Sequence, residues 1–437
     1  MKKVNAENTI IGEIKTWYMI LLIFILSTMV ISCNGDDNDV NDDVAVAPQP
    51  DEPEELASAW AIGYVVATPQ GGVWYLNVSE EIPESLNISN SIELGFNKRV
   101  SVFGDNPYVY DPDARTFTKW EVNRTDLSAS PEAILSLAAT GFNPVGNAYP
   151  VYVSETQAFS ADLAEGLMIE WNPEDMTITE IFQVEPLVAS QENRNIRTDF
   201  PYFKNDKAIL PIVEQEPSTC CDFNTTDIGA IVAVFDVNTK TLEYQKDDRL
   251  LATRGTFASD ENGTFYFGPD DGNSVIVEYF DINPQDFPSP HTILRLNDDG
   301  TIDPNFQLDV DEILEVEVFS QTITILDNKA VINYIDSNDG QFPESFDNNR
   351  EIFQTPARTV AIDLTTREVT EFSALEKYDF VAELVTIDSK NYFLAFSSEE
   401  NPFDTSHYLL QNSVDDYTEL GAYNGIAVQL MGMLWEN

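Results

Sequence analysis

Residues 322–335 read TITILDNKAVINYI, and this stretch decides how the rest of the chain is interpreted. Apolar side chains alternate with polar ones up to the triplet Asp327-Asn328-Lys329, and the alternation resumes after it. A period of two is typical of a strand that is buried on one face, and a short polar break between two such runs is typical of a turn. The stretch therefore predicts an antiparallel β-hairpin.

The same pattern recurs along the chain at intervals typical of repeat proteins. It is found at residues 64–76, 100–110, 149–159, 200–212, 255–267, 322–335 and 384–396. In several units a second hairpin follows the first, at residues 170–178, 234–242, 295–302 and 361–369. An inner and an outer hairpin together make a four-stranded antiparallel blade. A ring of such blades leaves only short, protected strand edges.

The pattern predicts an all-β fold, a seven-bladed β-propeller, with six or eight blades or a pair of β-sandwiches as the alternatives. All seven inner turns are expected on one face, and residues 425–435 are expected to add a strand to the first blade and close the ring. Residues 131–139 are the best helix candidate. The expected blades span residues 58–97, 98–142, 143–190, 191–251, 252–314, 315–374 and 375–437.

The charge balance excludes one class of function. The 437 residues include 75 acidic and 23 basic side chains, which gives a formal net charge of -52. A surface this negative repels nucleic acid and anionic lipid headgroups. No nucleic-acid partner is therefore expected.

The N-terminus has the features of an export signal. Lys2, Lys3 and Lys15 precede an apolar run at residues 17–26, which continues through small and mixed residues to Cys33. The run is too short to span a bilayer comfortably. It resembles a bacterial lipoprotein signal, and this resemblance implies that Cys33 becomes the lipidated first residue. A plain membrane anchor is the alternative.

An acidic segment follows the signal. Residues 34–55 contain nine acids and three prolines but no lysine or arginine, so the segment cannot bury enough apolar surface to fold. Asp36 and Asp37 resemble the signal that sends some lipoproteins to the outer face of the outer membrane. The expected domains are a signal peptide at 1–32, a disordered tether at 33–56 and a propeller at 57–437.

The sequence contains few residues typical of catalysis. Cys220 and Cys221 are adjacent and are interpreted as a vicinal disulfide that stiffens their loop, with an intermolecular bridge or two free thiols as the alternatives. The two histidines, His291 and His407, lie in no metal-binding or nucleophile motif, so each is interpreted as a surface or loop residue. Asp-rich stretches at 270–273 and 336–340 are interpreted as hairpin turns rather than calcium sites. No metal, no cofactor and no enzymatic activity are expected.

Bases are scarce, so their positions are informative. Arg99, Arg197 and Arg254 fall where the first strands of the second, fourth and fifth blades begin. Equivalent positions in a propeller would place them around one mouth of the channel, where a guanidinium fork suits carboxylates, phosphates and catecholates. The alternative is that each arginine pairs with a neighbouring acid.

Signal, acidic tether and propeller together resemble the surface-lipoprotein β-propellers found beside TonB-dependent outer-membrane transporters, some of which capture ferric siderophores. The resemblance rests on this layout and on blade phrases such as residues 234–242. It implies a lipid-anchored protein at the cell exterior that binds a small molecule, such as an iron–siderophore, and passes it to a transporter. A glycan- or protein-binding scaffold and a propeller hydrolase or lyase are the alternatives.

Overall fold

The structure, a computed structural model, describes most of the propeller. The described residues are 56–68, 71–144, 149–189, 195–198, 201–215, 230–249, 257–260, 262–268, 292–316, 318–336, 358–371, 374–375, 378, 380–387, 390–397, 405–424 and 426–435.

The described residues form seven separate antiparallel sheets, which are the blades of a seven-bladed β-propeller. Blade 1 contains β1 (Ala59–Thr68), β2 (Gly71–Ser79) and β3 (Ile92–Phe96). Blade 2 contains β4 (Arg99–Phe103), β5 (Asn106–Asp111), β6 (Thr116–Val122) and β7 (Ala129–Ser136). Blade 3 contains β8 (Val151–Ser154), β9 (Gln157–Asp162), β10 (Leu167–Asn172) and β11 (Thr177–Gln183).

The inner strand of blade 4 is divided in two, and the remaining blades repeat the four-stranded plan. Blade 4 contains β12 (Asn195–Thr198), β13 (Tyr202–Lys204), β14 (Lys207–Gln215), β15 (Ala230–Asp236) and β16 (Thr241–Asp247). Blade 5 contains β17 (Phe257–Ser259), β18 (Phe265–Phe267), β19 (Thr292–Arg295) and β20 (Leu308–Asp309). Blade 6 contains β21 (Val318–Leu326), β22 (Lys329–Asp336), β23 (Arg358–Asp363) and β24 (Val369–Glu371). Blade 7 contains β25 (Phe380–Ile387), β26 (Lys390–Ser397), β27 (Thr405–Ser413) and β28 (Asp416–Asn424), and β29 (Ile426–Leu434) follows it in the chain.

The predicted ring closure is confirmed. β29 pairs with β1 and not with blade 7, so the sheet order of blade 1 is β29-β1-β2-β3. β29 also packs against β4 and β25, the inner strands of the two neighbouring blades. The last strand is therefore the innermost strand of the first blade, and no bare inner edge remains there.

One predicted hairpin occupies a different position in its blade. Gly63 pairs with Leu430 of β29 and faces Val100 of β4. Two residues further along β29, Gly432 faces Val102 of β4. β29 and β4 therefore run in the same direction. β1 therefore runs opposite to β4, and the β1–β2 turn lies where β4 begins. The expectation that all seven turns share one face is wrong for residues 64–76. β29 takes the inner position, and β1–β2 becomes the middle hairpin.

We call the face where inner strands begin the top face, and the face where they end the bottom face. In blades 2 to 7 the inner hairpins lie where the sequence predicts them, with their turns at the bottom face. The four predicted outer hairpins are also confirmed.

Residues 131–139, the best helix candidate in the sequence, do not form a helix. Residues 129–136 form β7, in which Leu135 is buried while Ile134 is 63% exposed. This alternation with a period of two is that of a strand. In the described part of the chain the helical segments are a 3-10 turn at Ile88–Asn90 and α1 (Val310–Leu314), and neither approaches the length and apolarity of a membrane-spanning helix.

Aromatic side chains fill the spaces between blades. Trp171 of blade 3 is fully buried. Its ring centroid lies 6.1 Å from that of Tyr108 and 5.3 Å from that of Phe117, both in blade 2. Its indole N–H donates to Ser160 Oγ at 3.1 Å, so the polar atom is satisfied within the core. Contacts of this kind hold neighbouring sheets face to face.

The outer turns add a second kind of contact between blades. In blades 2 to 6 each outer turn contains one residue with a positive φ angle, and each contacts the preceding blade or the core shared with it. These residues are Leu127, Met176, Lys240, Gly300 and Arg367. Their side chains differ in chemistry, but all five have a positive φ angle and all five contact the preceding blade or the core shared with it. We call them the latch residues.

Candidate functional site

The structure describes two of the three arginines singled out from the sequence. Arg99 is the first residue of β4, at the top face. Arg197 lies in β12, the first segment of the inner strand of blade 4, opposite Val213. Arg254 lies outside the described residues, as do Cys33, Cys220, Cys221 and His291. Convergence of the three arginines on the channel mouth therefore stays a prediction.

Arg99 lies against an aromatic ring of the neighbouring blade. Its guanidinium carbon is 5.3 Å from the centroid of Trp74 in β2, and Nη1 donates to the Lys98 carbonyl at 2.7 Å. Trp74 is only 6% exposed, so the ring is held in the core between blades 1 and 2. A guanidinium on an indole face is a favourable cation–π arrangement. The pair fixes a cation at the top face.

The neighbouring residue, Lys98, forms an ion pair within blade 2. Lys98 Nζ lies 2.5 Å from Asp111 Oδ2. Burial acts to raise the pKa of Asp111, but hydrogen bonds from Lys98 and from the Ala114 N–H outweigh it, so the pKa is lowered. Asp111 thus remains charged at neutral pH and neutralises Lys98.

The bottom face carries a matching pair between the same two blades. Arg124, in the outer turn of blade 2, lies 4.9 Å from the ring centroid of Trp435, directly after β29. Its Nη2 also lies 2.9 Å from Asp105 Oδ2. The two arginine–tryptophan pairs therefore join blades 1 and 2 from opposite faces.

A further cation at the top face was missed by the sequence reasoning. Arg358 begins β23, and its side chain is 50% exposed. Its Nη1 lies 3.2 Å from Asp336 Oδ2, whose side chain is 9% exposed. Asp336 ends β22, and residues 337–340, the rest of the turn expected there, lie outside the described residues. The three arginines predicted from the sequence begin the first strands of their blades, whereas Arg358 begins a third strand.

His407 corrects the interpretation of the histidines as surface or loop residues. It lies in β27, with a side chain that is 15% exposed. Its Nδ1 is 3.4 Å from Glu419 Oε2, and the Tyr378 hydroxyl donates to that same oxygen at 2.9 Å. Burial, followed by the contact with Glu419, raises the pKa of Tyr378. One carboxylate thus lies beside an imidazole and accepts a hydrogen bond from a phenol near the top face.

No metal centre accompanies these groups in the part of the chain that the structure describes. Among those residues, no three histidine, cysteine, aspartate or glutamate side chains lie close enough to hold an ion.

Comparison with known proteins supplies no family. No family model matches the chain, and no curated protein matches it. Similar solved structures include a protein from Lactobacillus plantarum, with 11% identity, TM-score 0.45, and coverage of 86% of this chain and 99% of that one. Another is a putative 6-phosphogluconolactonase from Bacteroides fragilis, with 9% identity, TM-score 0.46, and coverage of 89% and 99%.

A third similar structure is the β-propeller domain of the Trilobed protease from Pyrococcus furiosus, with 9% identity, TM-score 0.39, and coverage of 84% and 93%. Likenesses this distant say nothing about activity. The fold assignment rests on the strand pairings of the seven sheets.

Proposed function

We propose that this protein is a lipid-anchored propeller on the outer face of the outer membrane, where it binds an anionic, partly aromatic small molecule. It passes this ligand to a TonB-dependent outer-membrane transporter, and a ferric siderophore is the leading candidate. The lipoprotein-like signal ending at Cys33 and the acidic segment at 34–55 support the location. Fully extended, that segment reaches at most about 75 Å, which keeps the propeller near the membrane.

The observation that carries the proposal is the stack of Arg99 on Trp74. The chain has a net charge of -52, so most of its surface repels an anion. At the top face a guanidinium is held 5.3 Å from an indole centroid. Catecholate oxygens accept charge-assisted hydrogen bonds from a guanidinium. Arg197, on the inner strand of blade 4, and Arg254 are proposed to contribute further donors.

Quenching of the intrinsic fluorescence during titration with ferric catecholate siderophores tests the proposal. Arg99→Ala is expected to weaken binding about ten- to a hundredfold, because a charge-assisted contact is lost. Added salt is expected to weaken binding to the parent protein as well. The triple variant at Arg99, Arg197 and Arg254 is expected to bind more weakly still.

Arg124→Ala is the matched control. It removes the same residue type from the same kind of tryptophan stack between the same two blades, but at the bottom face. The proposal fails if Arg99→Ala binds like the parent, or if Arg124→Ala loses as much affinity. Binding of a neutral glycan that is unchanged by Arg99→Ala would favour the scaffold alternative.

A further inference from the structure

The two cations at the start of blade 2 lie over one pair of residues in blade 1. Trp74 of β2 and Gly95 of β3 are direct cross-strand partners. The guanidinium of Arg99 stacks on Trp74, and Lys98 Cε lies 3.9 Å from the position that a Cβ on Gly95 would take. Direct cross-strand partners have Cβ positions about 5 Å apart. Lys98 and Arg99 are therefore neighbours in space as well as in sequence.

Gly95 makes room for the lysine. Its φ angle is +94°, a conformation that residues with a side chain rarely adopt. Because no side chain is present at this position, the aliphatic part of Lys98 lies over it, and the Lys98 side chain is only 16% exposed. The ammonium group is thus held at the junction of blades 1 and 2.

The carboxylate that pairs with Lys98 is fixed by its own turn. Asp111 ends β5, and its Oδ1 accepts hydrogen bonds from the backbone N–H groups of Asp113 at 3.0 Å and Ala114 at 3.1 Å. Its other oxygen, Oδ2, lies 2.5 Å from Lys98 Nζ. Each oxygen has its own partners, so the carboxylate cannot turn away from Lys98 without losing contacts.

This carboxylate lowers the positive charge of the surface around Arg99. Lys98 and Arg99 contribute two positive charges and Asp111 one negative charge, which leaves one net positive charge among the three side chains. The energy between two ions is proportional to the product of their charges. The effect of Asp111 on a bound anion therefore grows with the charge of that anion.

We infer that Asp111 is a specificity-determining residue of the top-face site, where it discriminates against anions that carry several negative charges. The favoured ligands are singly charged, such as a free catecholate acid or a ferric complex with one net negative charge. A repulsive group placed against the wrong ligand is an established source of specificity. The inference rests on the function proposed above, whose ligand class it narrows.

Equilibrium dialysis of the full-length chain in detergent, with two catecholate probes of different charge, tests the inference. One probe is 2,3-dihydroxybenzoate, which is singly charged at neutral pH, and the other is a triply charged, hexadentate ferric tris-catecholate siderophore. Asp111→Asn is expected to tighten binding of the ferric complex about ten- to thirtyfold, but that of dihydroxybenzoate only about two- to threefold. The asparagine keeps the oxygen that accepts the two backbone hydrogen bonds, so the turn is retained.

Asp113→Asn is the matched control. It removes one negative charge from the same turn, but Asp113 is exposed, and the partner of Lys98 is Asp111. Its effect is screened by water and salt, so both affinities are expected to change about twofold at most.

The inference is overturned if Asp111→Asn tightens binding of both probes by the same factor, or if it behaves like Asp113→Asn. In either case, binding of the ferric complex by the parent protein leaves the proposed function standing. If neither the parent nor the variants bind either probe, the proposed function fails and the inference fails with it.

Discussion

Gly432 in β29 faces Val102 in β4 so closely that a Cβ on Gly432 would lie 2.6 Å from the Val102 Cβ. The inner strands of blades 1 and 2 therefore meet at a position with no room for a side chain. Gly63 of β1 makes a similar but looser approach, with a Cβ distance of 3.0 Å to Val100. Two glycines, one in β29 and one in β1, thus set how tightly blade 1 packs against β4.

Gly432→Ala is expected to lower the free energy of unfolding by about 1–3 kcal/mol, because the added methyl group overpacks this contact. Gly63→Ala is expected to lower the free energy of unfolding by a smaller amount. Adding Val102→Ala to Gly432→Ala is expected to recover part of the loss. Chemical denaturation of the parent, Gly432→Ala, Val102→Ala and the double variant measures the coupling. Additive effects of the two substitutions would contradict the contact.

Deletion of residues 425–437 is expected to abolish cooperative unfolding, because it removes the inner strand of blade 1 and leaves an edge of β1 unpaired. Thermal unfolding followed by circular dichroism measures the effect. A truncated chain that melts at the temperature of the parent would show that β29 does not close the ring.

The latch residue Lys240 offers a test of contacts between outer turns and preceding blades. Its ammonium lies 2.6 Å from Glu170 Oε2 and 4.7 Å from the ring centroid of Phe159, both in blade 3. Lys240→Ala is expected to destabilise the fold by about 1–2 kcal/mol through loss of these contacts.

Lys240→Gly separates those contacts from backbone strain. The φ angle of Lys240 is 59°, a value that glycine adopts without strain. The glycine variant is expected to be about 1 kcal/mol more stable than the alanine variant. Equal stabilities in urea denaturation would show that the backbone geometry contributes nothing at this turn.

Asp236 predicts how the stability of blade 4 depends on pH. Its folded-state pKa is about 2, below the ordinary value of 3.8, so the stabilisation it provides is present above pH 3.8. That stabilisation is lost as the pH falls through the folded pKa. Asp236→Asn is expected to flatten the fall in unfolding free energy between about pH 4 and pH 2, as measured by denaturation at a series of pH values. An unchanged pH profile would contradict this role.

Cys33→Ser is expected to release the protein from membranes, because acyl chains supply the anchoring free energy. Fractionation and immunoblotting measure the change. A serine variant that still sediments with membranes would refute lipid anchoring. Neutral replacements in the acidic segment are expected to leave the protein membrane-bound but shielded from added protease; the positions are Asp36, Asp37, Asp39, Asp42 and Asp43.

Alternation of apolar residues was enough to predict the blade number, the seven hairpins and the closing strand. It was not enough to place the hairpin at 64–76 within its blade. A hairpin has the same pattern whether it is the inner or the middle pair, and its position depends on β29, which follows every other strand in the chain. The error is therefore one of long-range pairing and not of local structure.

The side chains around the candidate site were harder to predict. The sequence places Arg99 at the start of an inner strand, but its partner Trp74 belongs to another blade and lies in no shared motif. The latch residues have no common residue type, since leucine, methionine, lysine, glycine and arginine all occupy that position. Contacts between blades depend on how sheets pack, which a periodic pattern does not specify.

Closure by β29 also determines the order in which the fold is completed. β29 follows all the other described strands in the chain, so the ribosome makes it after them. Until it arrives, blade 1 has three strands and an open edge. The ring is therefore complete only after the strands of the seventh blade have been synthesised.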